Sequence, residues 1–130
     1  MTTELTYLAY TALLTALLWI PYIIGLASNH PKPMPERFAD PTLPELPNWA
    51  KRANRAHINA VETLAPFAVF VLILAVTGQF NAMTAFWTML FFWARVAHAV
   101  IYWTGIPYLR TLAFLVGLIA TIGLFWEVVN

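Results

Sequence analysis

Four apolar runs, each long enough to cross a bilayer, alternate along the chain with polar breaks. The first spans Leu5 to Ala27, the second about Ile58 to Thr77, the third about Ala82 to Trp103 and the fourth about Pro107 to Val128. A helix rises about 1.5 Å per residue, so a hydrocarbon core of about 30 Å needs about 20 apolar residues. Lipid offers no partner to backbone N–H and C=O groups, and a helix satisfies them within its own segment. The pattern therefore predicts an all-α integral membrane four-helix bundle of up-down topology, with helices over about 5–27, 49–77, 82–103 and 107–128 of a single domain 1–130. Pro21 predicts a kink near the end of the first helix. Pro107 suits a first helical turn, where a missing N–H costs nothing.

The breaks between runs are uneven. Gly78-Gln79-Phe80-Asn81 and Thr104-Gly105-Ile106 are minimal turns, so the helices they join are expected to be antiparallel neighbours. The stretch from Ser28 to Pro47 holds six of the nine prolines, Pro31, Pro33, Pro35, Pro41, Pro44 and Pro47, and three acidic residues. Prolines at that density forbid a regular helix and predict a long surface loop. The residues before the first run contain Glu4 and no Lys or Arg, and the run exceeds the about 7–15 residues of a signal peptide core. It is expected to be a retained helix.

Composition agrees with lipid as the solvent. The chain is 61% hydrophobic and 10% charged, where a soluble domain is about half apolar and about a quarter charged. A net charge of +1 gives no case for nucleic acid. The lack of cysteine removes disulfides, thiolate metal sites and a cysteine nucleophile. His30, His57 and His98 do not share a metal-binding spacing, so no metal is expected. Lys32, Arg37, Lys51, Arg52, Arg55 and Arg110 all fall on one side of the predicted bilayer. That side is expected to be cytoplasmic, with both termini on the other. Trp19, Tyr22, Trp49, Trp103, Tyr108 and Trp126 sit near span ends, as an aromatic belt requires.

The ionisable residues inside the spans carry the functional signal. Each costs at least about 2.5–3.5 kcal/mol at a span centre and needs a partner or a purpose. On the second helix Arg52, Arg55, Asn59 and Glu62 recur at spacings of three, four and three, which is one helical face. On the third, Arg95, His98 and Tyr102 recur at three and four. Arg110 and Thr111 follow Pro107 at the start of the fourth. A purely architectural reading pairs Arg95 with Glu62 and lets Arg55 and Arg110 reach the headgroups. Against it stands the surplus of guanidinium groups over one glutamate. Desolvated cations are satisfied by an anion from outside, and several Arg with a Glu and an Asn suit a zwitterion bearing carboxylates and an amine.

The stretch Arg52-Ala53-Asn54-Arg55-Ala56-His57-Ile58-Asn59-Ala60-Val61-Glu62, with Pro66-Phe67 after it, resembles the second-helix signature of the MAPEG family, the membrane-associated proteins in eicosanoid and glutathione metabolism. The likeness continues through Arg95-Val96-Ala97-His98-Ala99-Val100-Ile101-Tyr102 and Pro107-Tyr108-Leu109-Arg110-Thr111, and it covers essentially the whole chain. The resemblance implies a homotrimer with glutathione, as co-substrate, bound between subunits near the cytoplasmic side. It implies that Arg55, Asn59 and Glu62 hold the peptide, with Glu62 near its amino group, and that Arg95, His98 and Tyr102 line the same pocket. Arg110 would approach the sulfur, with Thr111 where many catalytic members have Ser. The implied activity is glutathione transfer or glutathione-dependent peroxide reduction on lipophilic second substrates reaching the site from the bilayer. The chain departs from the family pattern at Ile58 (Arg in several members), at Phe114 (Tyr in some) and in a first helix without a basic residue. Each departure removes a donor. A non-catalytic lipid-binding or accessory protein of the same fold is the alternative, although such members tend to lose the Arg and Glu retained here. A small exporter of cationic drugs would want a carboxylate in a cavity poor in Arg, which this chain does not offer.

Overall fold

A computed structural model describes residues 1–40 and 42–130. Its elements in chain order are α1 (Thr3–Leu17), α2 (Trp19–Asn29), α3 (Glu36–Ala39), α4 (Asn48–Thr77), α5 (Ala82–Thr104) and α6 (Pro107–Val129). The pair α1–α2 runs as one span, and with α4, α5 and α6 it makes four helices long and apolar enough to cross a membrane. The chain is an all-α membrane four-helix bundle.

Each boundary has a local cause. The first span is interrupted at Leu18, three residues before Pro21. Pro21 has no N–H for the Leu17 carbonyl and its ring crowds that carbonyl, so the break falls a turn upstream of the proline. Gly78 (φ 67°) and Gly105 (φ 77°) end α4 and α5 in the left-handed conformation that a side chain disfavours. Asn81 caps α5: its side chain accepts from the Met83 and Thr84 amides, while Thr84 Oγ1 accepts from the Asn81 amide at 2.8 Å. Between the prolines the loop still forms one helical turn, α3, which proline density had argued against. Pro35 takes the position before it, where no amide hydrogen is needed. Pro41 lies outside the described residues.

Two regions hold the bundle together. Phe67 of α4 stacks on Phe91 of α5 with ring centroids 3.9 Å apart, beside Val71, Leu74, Ala120 and Leu124. Nearer the proline loop the buried face of α4 is alanine only, at Ala50, Ala53, Ala56 and Ala60. Small side chains bring backbones close where water supplies no squeeze. A methyl on Gly25 of α2 would stand 2.6 Å from the Ala50 methyl, so these helices touch nearly backbone to backbone. At the opposite end Glu4 is 4% exposed and accepts a hydrogen bond of 2.6 Å from the Thr84 hydroxyl. Nothing in the spacing of polar residues along the first run singles Glu4 out for burial.

Candidate functional site

Asn59 from the face predicted on the second span and Arg110 from the fourth meet the polar stripe of α5. Arg95 and His98 are each 3% exposed. Arg95 Nη2 donates to Asn59 Oδ1 of α4 at 2.7 Å and lies 3.3 Å from His98 Nδ1. The His98 and Tyr102 ring centroids are 5.3 Å apart, and the Arg110 guanidinium of α6 sits 5.1 Å from the Tyr102 ring centre. A cation over an aromatic face is attracted by the ring quadrupole. Asn59, Arg95, His98, Tyr102 and Arg110 thus form one line of contacts from the middle of the bundle to the α5–α6 turn. The three-and-four spacing on α5 is what keeps three of them on one stripe.

A cavity of about 280 Å³ opens beside this line. Asn59 and Glu62 of α4 and Arg95 of α5 give its polar wall, and Pro66, Phe91 and Phe114 give an apolar one. The ion pair between Arg95 and Glu62 that an architectural reading requires does not form. Among the described residues the ion pairs are Lys32–Asp40 and Lys51–Glu45, both at the proline loop. The amide of Asn59 takes the guanidinium instead, and Glu62, three residues further along α4, lies on the exposed side of the helix. Arg95 Nε is buried without a hydrogen-bond partner. Pro66 adds a second acceptor near the Glu62 carboxylate, because it lacks the N–H that would bond the Glu62 carbonyl in an unbroken helix.

The remaining predicted residues are placed differently. Arg55 and Thr111 are exposed and make no side-chain hydrogen bond among the described residues. Arg52 is drawn away from the cavity. Its guanidinium carbon lies 3.5 Å from where a Gly105 side chain would begin, at the carbonyl end of α5, which favours a cation. Thr63, Gly117, Leu118 and Thr121 also line the cavity. Their signal in the sequence was weak: Thr63 continues the face of Asn59 and Glu62, but between Arg110 and Glu127 α6 offers no charged residue to mark which face points inward. In the loop, Lys32 and Thr42 hydrogen-bond Asp40 and hold its carboxyl well below the usual carboxylate range.

The sequence pattern of the MAPEG family matches residues 5–130. The chain belongs to the MAPEG family. The match takes in every helix and every cavity residue named above, so the polar stripe of α5 and the Asn59–Glu62 face of α4 are features of a MAPEG protein. Membership makes this a membrane protein of the family concerned with eicosanoid and glutathione metabolism. No curated protein sequence matches the chain.

Proposed function

We propose that this MAPEG protein binds glutathione at the Asn59–Glu62–Arg95 cavity and uses its thiol as a transferase or peroxidase toward lipophilic second substrates. One observation carries the reading: a guanidinium and a carboxylate face one cavity and do not touch. A buried charge without its partner is costly, and opposite charges held apart are completed by a guest with both signs. The γ-glutamyl head of glutathione has a carboxylate and an ammonium on one carbon. The carboxylate goes to Arg95 and the Asn59 amide, and the ammonium goes to Glu62. Arg55 takes a second carboxylate, and His98 and Tyr102 line the path toward Arg110.

A free thiol of pKa about 8.5 is mostly protonated near neutrality, and the thiolate is the nucleophile. Arg110 favours the anion by charge and the Thr111 hydroxyl by donating to it. A two-unit shift corresponds to about 2.7 kcal/mol of preferential stabilisation. The thiolate then attacks an electrophilic carbon, whose leaving group departs with the bonding pair, in a site that holds both reactants close. Arg55 and Glu62 are exposed on α4 of a single chain, where lipid would face their charges. Neighbouring copies in a homotrimer cover that face. We take the cytoplasmic membrane as its location, with the Arg110 end toward the cytoplasm and both termini outside it, from the one-sided distribution of Lys and Arg.

Calorimetry of the detergent-purified protein with glutathione tests the reading. Saturable binding that Arg55→Ala and Glu62→Ala each weaken at least tenfold supports it; normal binding by both variants ends it. The accessory, lipid-binding alternative draws on the Phe114 wall, which offers no hydroxyl to a sulfur, and on the isolated Thr111. Glutathione that binds without any thiolate absorbance, and without turnover of a chloronitrobenzene or an organic hydroperoxide, would favour that alternative.

A further inference from the structure

We infer that Arg95 is a positioning residue, which turns the N–H donors of the Asn59 amide toward the anion-binding cavity and fixes His98 as its Nε2–H tautomer. A guanidinium has only donors. The group that faces Arg95 Nη2 at 2.7 Å must therefore be an acceptor, so Asn59 presents Oδ1 to it and its NH₂ turns the other way. Asn59 lines the cavity, and its Nδ2 makes no hydrogen bond among the described residues. The same logic holds for His98. Its Nδ1, 3.3 Å from the same Nη2, carries no proton, so the ring is neutral and its hydrogen sits on Nε2.

Either alternative sets donor against donor. A flipped Asn59 amide or an imidazolium would put N–H against N–H at a guanidinium that is itself shut off from water. Arg95 cannot turn aside to relieve the clash, since it is 3% exposed and packed between α4 and α6, with its Cδ 3.8 Å from where a Gly117 side chain would begin. One buried cation thus sets the direction of two neutral groups on two helices. Left to themselves, an amide could flip and an imidazole could hold its proton on either nitrogen.

The inference rests on the glutathione reading only for the identity of the anion, and its first test needs no ligand. Nitrogen-15 histidine spectra of the full-length protein in nanodiscs, with His98 assigned through His98→Gln, are expected to show the Nε2–H tautomer at neutral pH. In Arg95→Met that single tautomer should give way to a mixture. A doubly protonated or Nδ1–H His98 in the unaltered protein would overturn the inference, as would an Arg95→Met spectrum identical to it. Asn59→Asp is the second arm and keeps a partner for Arg95. The positioning role predicts retained thermal stability with at least tenfold weaker glutathione binding, because a donor amide has become an acceptor carboxylate. If Asn59 were merely interhelical glue, Asn59→Asp would bind glutathione as before, and that result would refute the donor role. A protein that binds no glutathione yet shows the tautomer and its loss in Arg95→Met would retire the glutathione reading and sustain this one.

Discussion

Glu62→Gln separates architecture from ligand binding because it removes a charge while keeping size and hydrogen-bonding capacity. Were Glu62 the counter-ion of Arg95, breaking that buried pair would cost about 3–5 kcal/mol. For a domain of this length that is a fall in Tm on the order of 10–20 °C. The structure gives Arg95 to Asn59 and leaves Glu62 exposed on α4. The ligand-free Tm of Glu62→Gln is therefore expected within about 2 °C of the parent, corresponding to roughly 0.5 kcal/mol. Binding should suffer instead. Loss of one charge-assisted contact to the ammonium is about 1.5–3 kcal/mol, or roughly a ten- to hundredfold rise in Kd. At a glutathione concentration one hundred times the parent Kd, ligand stabilisation of about 2.7 kcal/mol would shrink to between about 0.4 and 1.4 kcal/mol. Thermal unfolding with and without glutathione, followed by fluorescence, reads both quantities. A ligand-free Tm lowered by ten degrees, or an unchanged glutathione shift, would refute the reasoning.

Gly25→Ala places a methyl 2.6 Å from that of Ala50, and overpacking of this kind costs about 1–3 kcal/mol, so Tm should fall by several degrees; an unchanged Tm would mean α2 and α4 are not so tightly held. Phe114→Tyr returns a hydroxyl to the cavity wall. It is expected to increase thiolate formation by bound glutathione, read by its ultraviolet absorbance, and no increase would show that the phenol cannot reach the sulfur. The Asp40 carboxyl is held low by its hydrogen bonds to Lys32 and Thr42. A depressed carboxylate stabilises the folded loop above its unfolded pKa of about 3.9 and loses that contribution as pH falls through the lower folded value. Resistance of the loop to limited proteolysis should thus stay level from neutral pH down to about 4 and drop only in stronger acid. Loosening already near pH 6 would place its cause elsewhere.

The membrane spans, their turns and the buried stripe of Arg95 and His98 on α5 were legible in the residues themselves, whereas on α4 Arg55 and Glu62 turn out exposed. Bilayer thickness sets one length for every span, and lipid forces each segment to satisfy its own backbone. Gly78, Gly105 and Pro107 then mark the ends by conformations that only those residue types favour or tolerate. The three-and-four spacing of Arg95, His98 and Tyr102 needed nothing beyond helical geometry.

Partnership was a different matter. That Arg95 bonds Asn59 rather than Glu62, that Arg52 leaves the cavity for the end of α5, and that Glu4 is buried against Thr84 all join residues distant in the chain. Helical periodicity says which side of a cylinder a group occupies, not how far along a neighbouring cylinder its mate will stand. Depth and crossing are set by contacts such as Gly25 on Ala50 and Phe67 on Phe91, and a shift of one turn between α4 and α5 would have handed Arg95 a different partner.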